Sequence, residues 1–423
     1  MLTKFLETID LGDAIFLLHL LTFNYCILSG DDMTLFLEQN YSAISDSMQK
    51  RLRDSRIFVE SQDIDDEILS KAFEMFSVKP LRHPNIAIYL TNICNLQCSY
   101  CYSGYISAEK IKSVLTLDDI DLIFLTIEKY YNVLNLPLNG LGISLIGGEP
   151  LLKCTMSVVK YFFSRVKKFE PEFCEIVSNM VDSEKFLDII KESGVPVVFR
   201  VTFNGGQKIH DKLRTNQTGL KTYRRQLTAI EHFLNEVSAV QFNISVLLDK
   251  NSNDIASIKQ LFLDFSKYDL LDNPRIHIEF GHIQFRSNFD NNGYSKFVIP
   301  VERYYNELNK IAEKITSVNQ AMLAGSSMHY LPKLARQWFD DEPYIPTMSG
   351  CDAARPGRLC FYVDGNIYPC YDVVGQLDFV CGRFRDDQEL NDLFYEWHNF
   401  SYLSCHKCME CKYVAICNIS QNM

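Results

Sequence analysis

The chain has 423 residues, 47% of them hydrophobic and 22% charged, the make-up of a globular protein with room for two or three domains. Its net charge of −11 argues against the basic face that nucleic-acid binding needs. Of its 14 cysteines, all but Cys26, Cys154 and Cys174 fall in two stretches, 94–101 and 351–417, with ligand-like spacings, which speaks against a disulfide framework.

The apolar run Ala14–Leu21 follows acidic residues, has no small-residue cleavage site after it and is shorter than the roughly 20 residues that span a bilayer. No signal peptide and no membrane span are expected, and a reducing cytoplasm is the consistent setting. Residues 1–80 predict a small α+β unit. Ala14–Leu21 and Asn24–Leu28 read as a hairpin, Met33–Gln39 and Ile44–Leu52 as helices, Arg56–Glu60 as a strand, and Ile64–Met75 as a helix capped by Asp63.

Residues 85–300 alternate strand and helix, the pattern of a parallel sheet. The predicted strands are Ile86–Leu90, Leu141–Ile146, Cys174–Val177, Val197–Val201, Val240–Leu247 and Arg275–Phe280. Val301–Ala324 predicts a further helix within a connector, 301–350. A cysteine-rich module, 351–423, closes the chain. His277, Glu279 and His282 are spaced unsuitably for three ligands from one strand or helix and read as barrel wall. Cys26, Cys154 and Cys174 sit in apolar stretches and read as small buried hydrophobes.

The most informative motif is Cys94-x3-Cys98-x2-Cys101, placed directly after the first strand of the alternating region. Three thiolates in one loop can hold three irons of a cubic [4Fe–4S] cluster and leave the fourth iron open. The open iron is what the amino and carboxylate groups of S-adenosylmethionine would chelate. A structural zinc site would want a fourth ligand at a short offset, and no Cys or His follows Cys101 for more than fifty residues. One strand–helix unit later comes Gly147-Gly148-Glu149-Pro150. Its glycines allow close backbone approach, and its carboxylate can receive a methionine ammonium.

With Tyr100 just before the third cysteine and the GGEP run matched letter for letter, the sequence resembles the radical S-adenosylmethionine superfamily. The resemblance implies a partial (β/α)6 TIM-like barrel, a [4Fe–4S] cluster on Cys94, Cys98 and Cys101, and S-adenosylmethionine as cofactor. Ser178-Asn179-Met180 stands where relatives have Thr-Asn-Gly. Thr202-Phe203-Asn204-Gly205 stands where they have Ser-Leu-Asp-Gly, followed by His210, Asp211 and Arg214. Cofactor contacts are thereby implied for Tyr100, Gly147, Gly148, Glu149, Asn179, Thr202 and Arg214. Asn204 departs from the usual aspartate and inherits no catalytic role, and no catalytic residue is assigned.

The C-terminal module holds Cys351, Cys360, Cys370, Cys381, Cys405, Cys408, Cys411 and Cys417. Gly365-x4-Cys370 and Cys408-x2-Cys411-x5-Cys417 resemble the SPASM extension of peptide-modifying radical enzymes, which implies one or two auxiliary [4Fe–4S] clusters. The next cysteine of that pattern is missing, since Gln421 stands there, so the ligand partition stays open. Structural zinc on Cys405, Cys408, Cys411 and Cys417 is the rival.

The N-terminal unit resembles a winged-helix peptide-recognition element. Taken together, the resemblances imply a maturase that crosslinks a ribosomally made precursor peptide bearing a leader, forming a thioether or a carbon–carbon bond. They also imply a low-potential electron donor such as flavodoxin or ferredoxin, with neither nucleic acid nor membrane as partner. One alternative is sulfatase maturation to formylglycine, disfavoured because Tyr371 rather than an aspartate follows Cys370. The other is a non-enzymatic iron–sulfur or zinc regulator that binds a peptide.

Overall fold

The structure is a computed structural model and describes residues 1–76, 85–101, 112–216, 218–250, 254–283, 294–323, 352–355, 357–386, 389–400 and 405–414. The chain forms two compact units. One comprises residues 1–80, 330–355 and 397–423, the other residues 81–329 and 356–396. Among the described residues no helix is long and apolar enough to cross a membrane.

The first unit is built on an antiparallel sheet of β1 (Leu6–Asp10), β2 (Ala14–His19) and β3 (Tyr25–Ser29), in that order. Helices Gly30–Leu37, Asp46–Asp54 and Gln62–Phe76 follow. The central strand feeds both faces. Ile15 and Leu17 pack with Leu28, Phe36, Leu52 and Ile57, while Leu18 packs with Phe5, Leu69, Phe73 and Val414. Each such side chain contributes about 1.5–3 kcal/mol of burial.

Two expectations change here. β1 was not predicted, because Leu6-Glu7-Thr8-Ile9-Asp10 is polar and mostly exposed and owes its extension to pairing with β2. Arg56–Glu60 is not a strand. Phe58 forms only an isolated bridge to Leu2, and the amides of Thr3 and Val59 bond to the carbonyls of Ile57 and Met1.

The second unit contains a nine-stranded sheet. Its six parallel strands stand in chain order: β4 (Ile86–Thr91), β5 (Ile143–Gly147), β6 (Cys174–Val177), β7 (Val197–Phe203), β8 (Val240–Leu248) and β9 (Ile276–His282). All six were legible from apolar runs bounded by helices, with ends shifted by up to two residues. β7 and β8 alternate strictly between buried and less buried positions. One face lies under the helices, while the other carries Arg200 and Thr202 on β7 and Asn243 and Ser245 on β8.

Beyond the β4 edge the sheet continues with β10 (Leu359–Phe361), parallel to β4, then antiparallel β11 (Asn366–Tyr368) and β12 (Gly382–Arg383). These two- and three-residue strands are too short to show a period and were not predicted. The helix predicted over Val301–Ala324 is two, Val301–Lys314 and Gln320–Leu323. The Thr316-Ser317-Val318 stretch between them favours the break, and the Asn319 side chain caps the amide of Met322.

Helix Leu117–Val133 starts in a reciprocal capping box, Thr116 accepting from the Asp119 amide at 3.1 Å and Asp119 from the Thr116 amide at 2.8 Å. Arg385 grips the same carboxylate at 2.6 and 2.9 Å. Burial opposes ionisation of Asp119, but the Arg385 and Thr116 hydrogen bonds outweigh it and hold the carboxyl below its usual pKa. A depressed pKa means that this stabilisation is full above about pH 4 and is lost as the pH falls further. Asp119→Ala should lower unfolding stability by about 2 kcal/mol in urea melts at pH 7. The difference between parent and variant should shrink toward pH 3.

Candidate active site

The cysteine loop leaves the sheet at the end of β4. Thr91 anchors its root, accepting the Ile93 amide at 3.0 Å and donating to the Ser113 carbonyl at 2.7 Å. The exit of β5 is laced to the same root, with the Gly148 amide on the Thr91 carbonyl and the Glu149 amide on the Ile93 carbonyl, each at 2.8 Å. This close approach explains both glycines. Gly147 has φ +136°, and a Cβ there would lie 2.2 Å from the Thr91 oxygen; one on Gly148 would lie 2.1 Å from the Ile93 oxygen.

Glu149 is buried, and its carboxylate ties β5 to the exit of β6. Oε1 accepts from the Leu151 amide (3.0 Å) and Ser178 Oγ (2.8 Å), and Oε2 from the Asn179 amide (2.7 Å). Burial nevertheless pushes its pKa up to about 7. The folded protein therefore holds this proton more tightly than the unfolded chain and loses stability as the pH rises from about 4 to 7. A cation placed against Oε2 would favour the ionised form.

Asn179 donates to Asn95 Oδ1 at 2.7 Å and lies 3.8 Å from the Cys94 sulfur, while Asn95 donates to Asp182 at 2.9 Å. Met180 adopts φ +60° at the position where the resemblance puts glycine, a left-handed conformation costing a side-chain-bearing residue about 1–2 kcal/mol.

The other side of the cysteine loop rests on residues 213–215. The amides of Gln97 and Ser99 bond to the carbonyls of Thr215 (2.6 Å) and Leu213 (3.1 Å). Between Cys98 and Cys101, Tyr100 is buried, donates to Asn204 Oδ1 at 2.6 Å and accepts from Arg214 Nη1 at 3.0 Å. The structure thus joins Cys94, Tyr100, Gly148, Glu149, Asn179 and Arg214 in one connected set, with Cys98 and Cys101 in the same loop. Thr202 lies half-buried on β7, where its carbonyl accepts from Gln226.

The loop fits a four-iron cluster in its donor chemistry. It offers three thiols, and the Nε of the buried Arg214 is left without a hydrogen-bond partner. When bound through Cys94, Cys98 and Cys101, such a cluster would supply the electron for reductive chemistry. Among the described residues no group of His, Cys, Asp or Glu side chains is arranged to hold a single metal ion.

Cys360, Cys370 and Cys381 are buried near β10–β12; burial raises the thiol pKa of Cys370 and Cys381, helped at Cys370 by the Asp372 charge and at both by Cys360. Cys405, Cys408 and Cys411 lie half-buried around the short helix His406–Met409 of the first unit. Cys351 and Cys417 lie outside the described residues.

Sequence reasoning missed the polar interior of the sheet. Arg200 bonds Glu175 at 2.9 Å and Glu279 at 3.4 Å, and Ser144 donates to Glu175 at 2.7 Å. The signal available was a set of charged residues at alternate positions of otherwise apolar strands. Near the N-terminal ends of β6–β8 a cavity of about 620 Å³ is lined by Glu172, Glu175, Arg200, Gln241, Asn243 and Arg275 among others. His277 and Glu279 share a strand face, whereas His282 lies on the other and packs against the Tyr304 ring, so the three do not form a ligand set.

This parallel α/β sheet, with a three-cysteine loop at the end of its first strand, is the fold of the radical SAM enzymes, and residues 88–262 match the radical SAM superfamily. The chain therefore carries a radical SAM domain. A 211-residue stretch is 24% identical to the radical SAM cyclopropyl synthase TigE of Paramaledivibacter caminithermalis, covering 46% of this chain and 43% of that protein. The chain thus spans less than half the length of that relative.

Solved structures share the fold, among them the following two. SuiB of Streptococcus suis, bound to its precursor peptide SuiA, aligns over 99% of this chain and 94% of its own at 14% identity and a TM-score of 0.55. Native anSMEcpe with bound AdoMet aligns over 79% and 87% at 18% identity, with a TM-score of 0.55.

Gly148→Ala should drive the β4 and β5 exits apart and lower the melting temperature of the metal-free protein by well over 5 °C. Gly12→Ala, at φ +90° with open space around it, should cost about 1–2 kcal/mol of backbone strain alone. Equal melting shifts for the two variants would show that the lacing between the exits does not hold the site.

Proposed function

We propose that this protein is a radical SAM peptide maturase that modifies, and most specifically crosslinks, a ribosomally made precursor peptide. The observation that carries the reading is the three-cysteine loop, laced to Gly148 and Glu149 and seated on Arg214. Cys94, Cys98 and Cys101 would hold the cluster, which would supply the electron for reductive cleavage of S-adenosylmethionine and so for hydrogen abstraction from an unactivated C–H bond of the peptide. The protein's part is position and exclusion of water.

Glu149 offers the methionine ammonium a buried carboxylate with a remaining acceptor position on Oε2. Asn179 and Asn95 shape the edge of the loop. Thr202, on the same face of the sheet as Arg200, stands where the resemblance puts a hydroxyl against the cofactor. The polar face carrying Glu175, Arg200 and Glu279 gives a peptide charged and hydrogen-bonding partners inside the sheet.

Peptide recognition is assigned to the first unit. β3 is an edge strand with a single neighbour, β2, among the described residues, and it exposes Tyr25 and Ile27. The other edge, β1, carries Glu7 and Asp10, and Glu7 is engaged by Lys412 and Tyr413. A leader peptide adding a strand to β3 would draw affinity from main-chain hydrogen bonds and selectivity from these side chains. One or two auxiliary clusters on the C-terminal cysteines belong to the same proposal, as does an external low-potential electron donor.

Two experiments test this reading. Anaerobically reconstituted protein should bind more than about four irons, and replacing Cys94, Cys98 and Cys101 with Ala should remove about four and abolish 5′-deoxyadenosine formation. Zinc in place of iron in the parent would overturn it. Separately, Tyr25→Asp with Ile27→Asp should weaken binding of the precursor peptide at least about tenfold, or 1.4 kcal/mol, while sparing S-adenosylmethionine cleavage. Unchanged peptide affinity would remove β3 from recognition.

A further inference from the structure

Among the described residues the buried guanidinium of Arg214 is in direct contact with no carboxylate and forms no ion pair. Its Nη1 donates to the Tyr100 hydroxyl at 3.0 Å, and its Nε has no hydrogen-bond partner. The Tyr100 proton continues to Asn204 Oδ1 at 2.6 Å. Asn204 is itself fully buried and oriented by its own amide, which donates to the Leu247 carbonyl at 3.3 Å, so its oxygen is the end that faces the phenol. This relay ends on a neutral amide. The ionisable groups whose charges bear on the guanidinium are Tyr100, Cys98 and Cys101, and Arg214 acts in turn on Glu149. The loop is fixed over it, since Gln97 and Ser99 hydrogen-bond to the residues on either side of Arg214.

A buried cation without a directly paired counter-ion is disfavoured, and it stabilises whatever negative charge lies nearest. Three thiolates on a doubly positive four-iron core leave one net negative charge, and reduction adds a second. The more negative, reduced state gains more from the cation. A carboxylate at position 204 would accept the same phenolic proton and keep the same geometry, while cancelling most of the field of Arg214.

We propose that Asn204 is a positioning residue that tunes the cysteine-loop cluster. By ending the Tyr100 relay on a neutral amide it leaves the charge of Arg214 acting on the loop, and so raises the potential at which the cluster accepts its electron. The inference rests on the loop binding a [4Fe–4S] cluster, as proposed above. It assigns to this chain an easier one-electron reduction than the same site would have with aspartate at 204.

The test is an EPR-monitored redox titration of anaerobically reconstituted full-length protein, with titanium(III) citrate as reductant. The signal followed is the one that Ala at positions 94, 98 and 101 removes. Asn204→Asp should keep the iron content and lower the reduced-to-oxidised ratio at a fixed potential about tenfold, a shift of about 59 mV for one electron. An unchanged or raised potential with full iron content overturns the inference and leaves the maturase reading standing. If Asn204→Asp fails to load iron, Arg214→Gln provides the reading, because removing the cation must also lower the potential. No change in that variant overturns the inference equally. A parent protein without any iron–sulfur signal overturns both readings together.

Discussion

The site depends on one contact, the backbone of the β5 exit pressed against the root of the cysteine loop. Two hydrogen bonds of 2.8 Å and two glycines that leave no room for a Cβ bring Gly147–Glu149 onto Thr91–Ile93. Neighbouring parallel strands place their ends about 4.8 Å apart in any such sheet. Here that spacing is tightened into direct contact between two loops, and a buried carboxylate then extends the lacing to the β6 exit. Three strand ends are thereby fixed relative to one another. The cysteines inherit a rigid base although their own loop has little regular structure.

Electrostatics follow from that base. The described part of the loop is held between Asn179 on one side and Tyr100 with Arg214 on the other, so its thiols lie near one buried carboxylate and one buried guanidinium. Each charge is costly alone in a desolvated position. Among the described residues the two form no direct ion pair: the carboxylate is held by amides and the Ser178 hydroxyl, and the guanidinium by Tyr100.

The interior of the sheet has a different character. Arg200, itself partly exposed, bridges the largely buried carboxylates of Glu175 and Glu279 across β6 to β9, on the face that the helices leave uncovered. The bridge lies beside the cavity at the N-terminal ends of β6–β8, which Glu175 and Arg200 help to line.

Much was legible in the sequence because it is encoded locally. The six parallel strands appear as apolar runs, since both faces of most of them are shielded by neighbouring structure. The cysteine spacing and the Gly-Gly-Glu turn carry their chemistry within a few residues. Residue type and spacing by themselves determined the radical SAM fold, the three-thiol loop and the need for glycine at 147 and 148. Only the tertiary structure decided the rest. β1 is extended because β2 pairs with it, and β10–β12 exist because the edge of β4 accepts them. Tyr100, Asn204 and Arg214 meet only when strand β7 and the helix after it fold beneath a loop more than a hundred residues earlier. Such contacts depend on which surfaces pack together, and a hydrogen bond between distant residues leaves no period or motif along the chain.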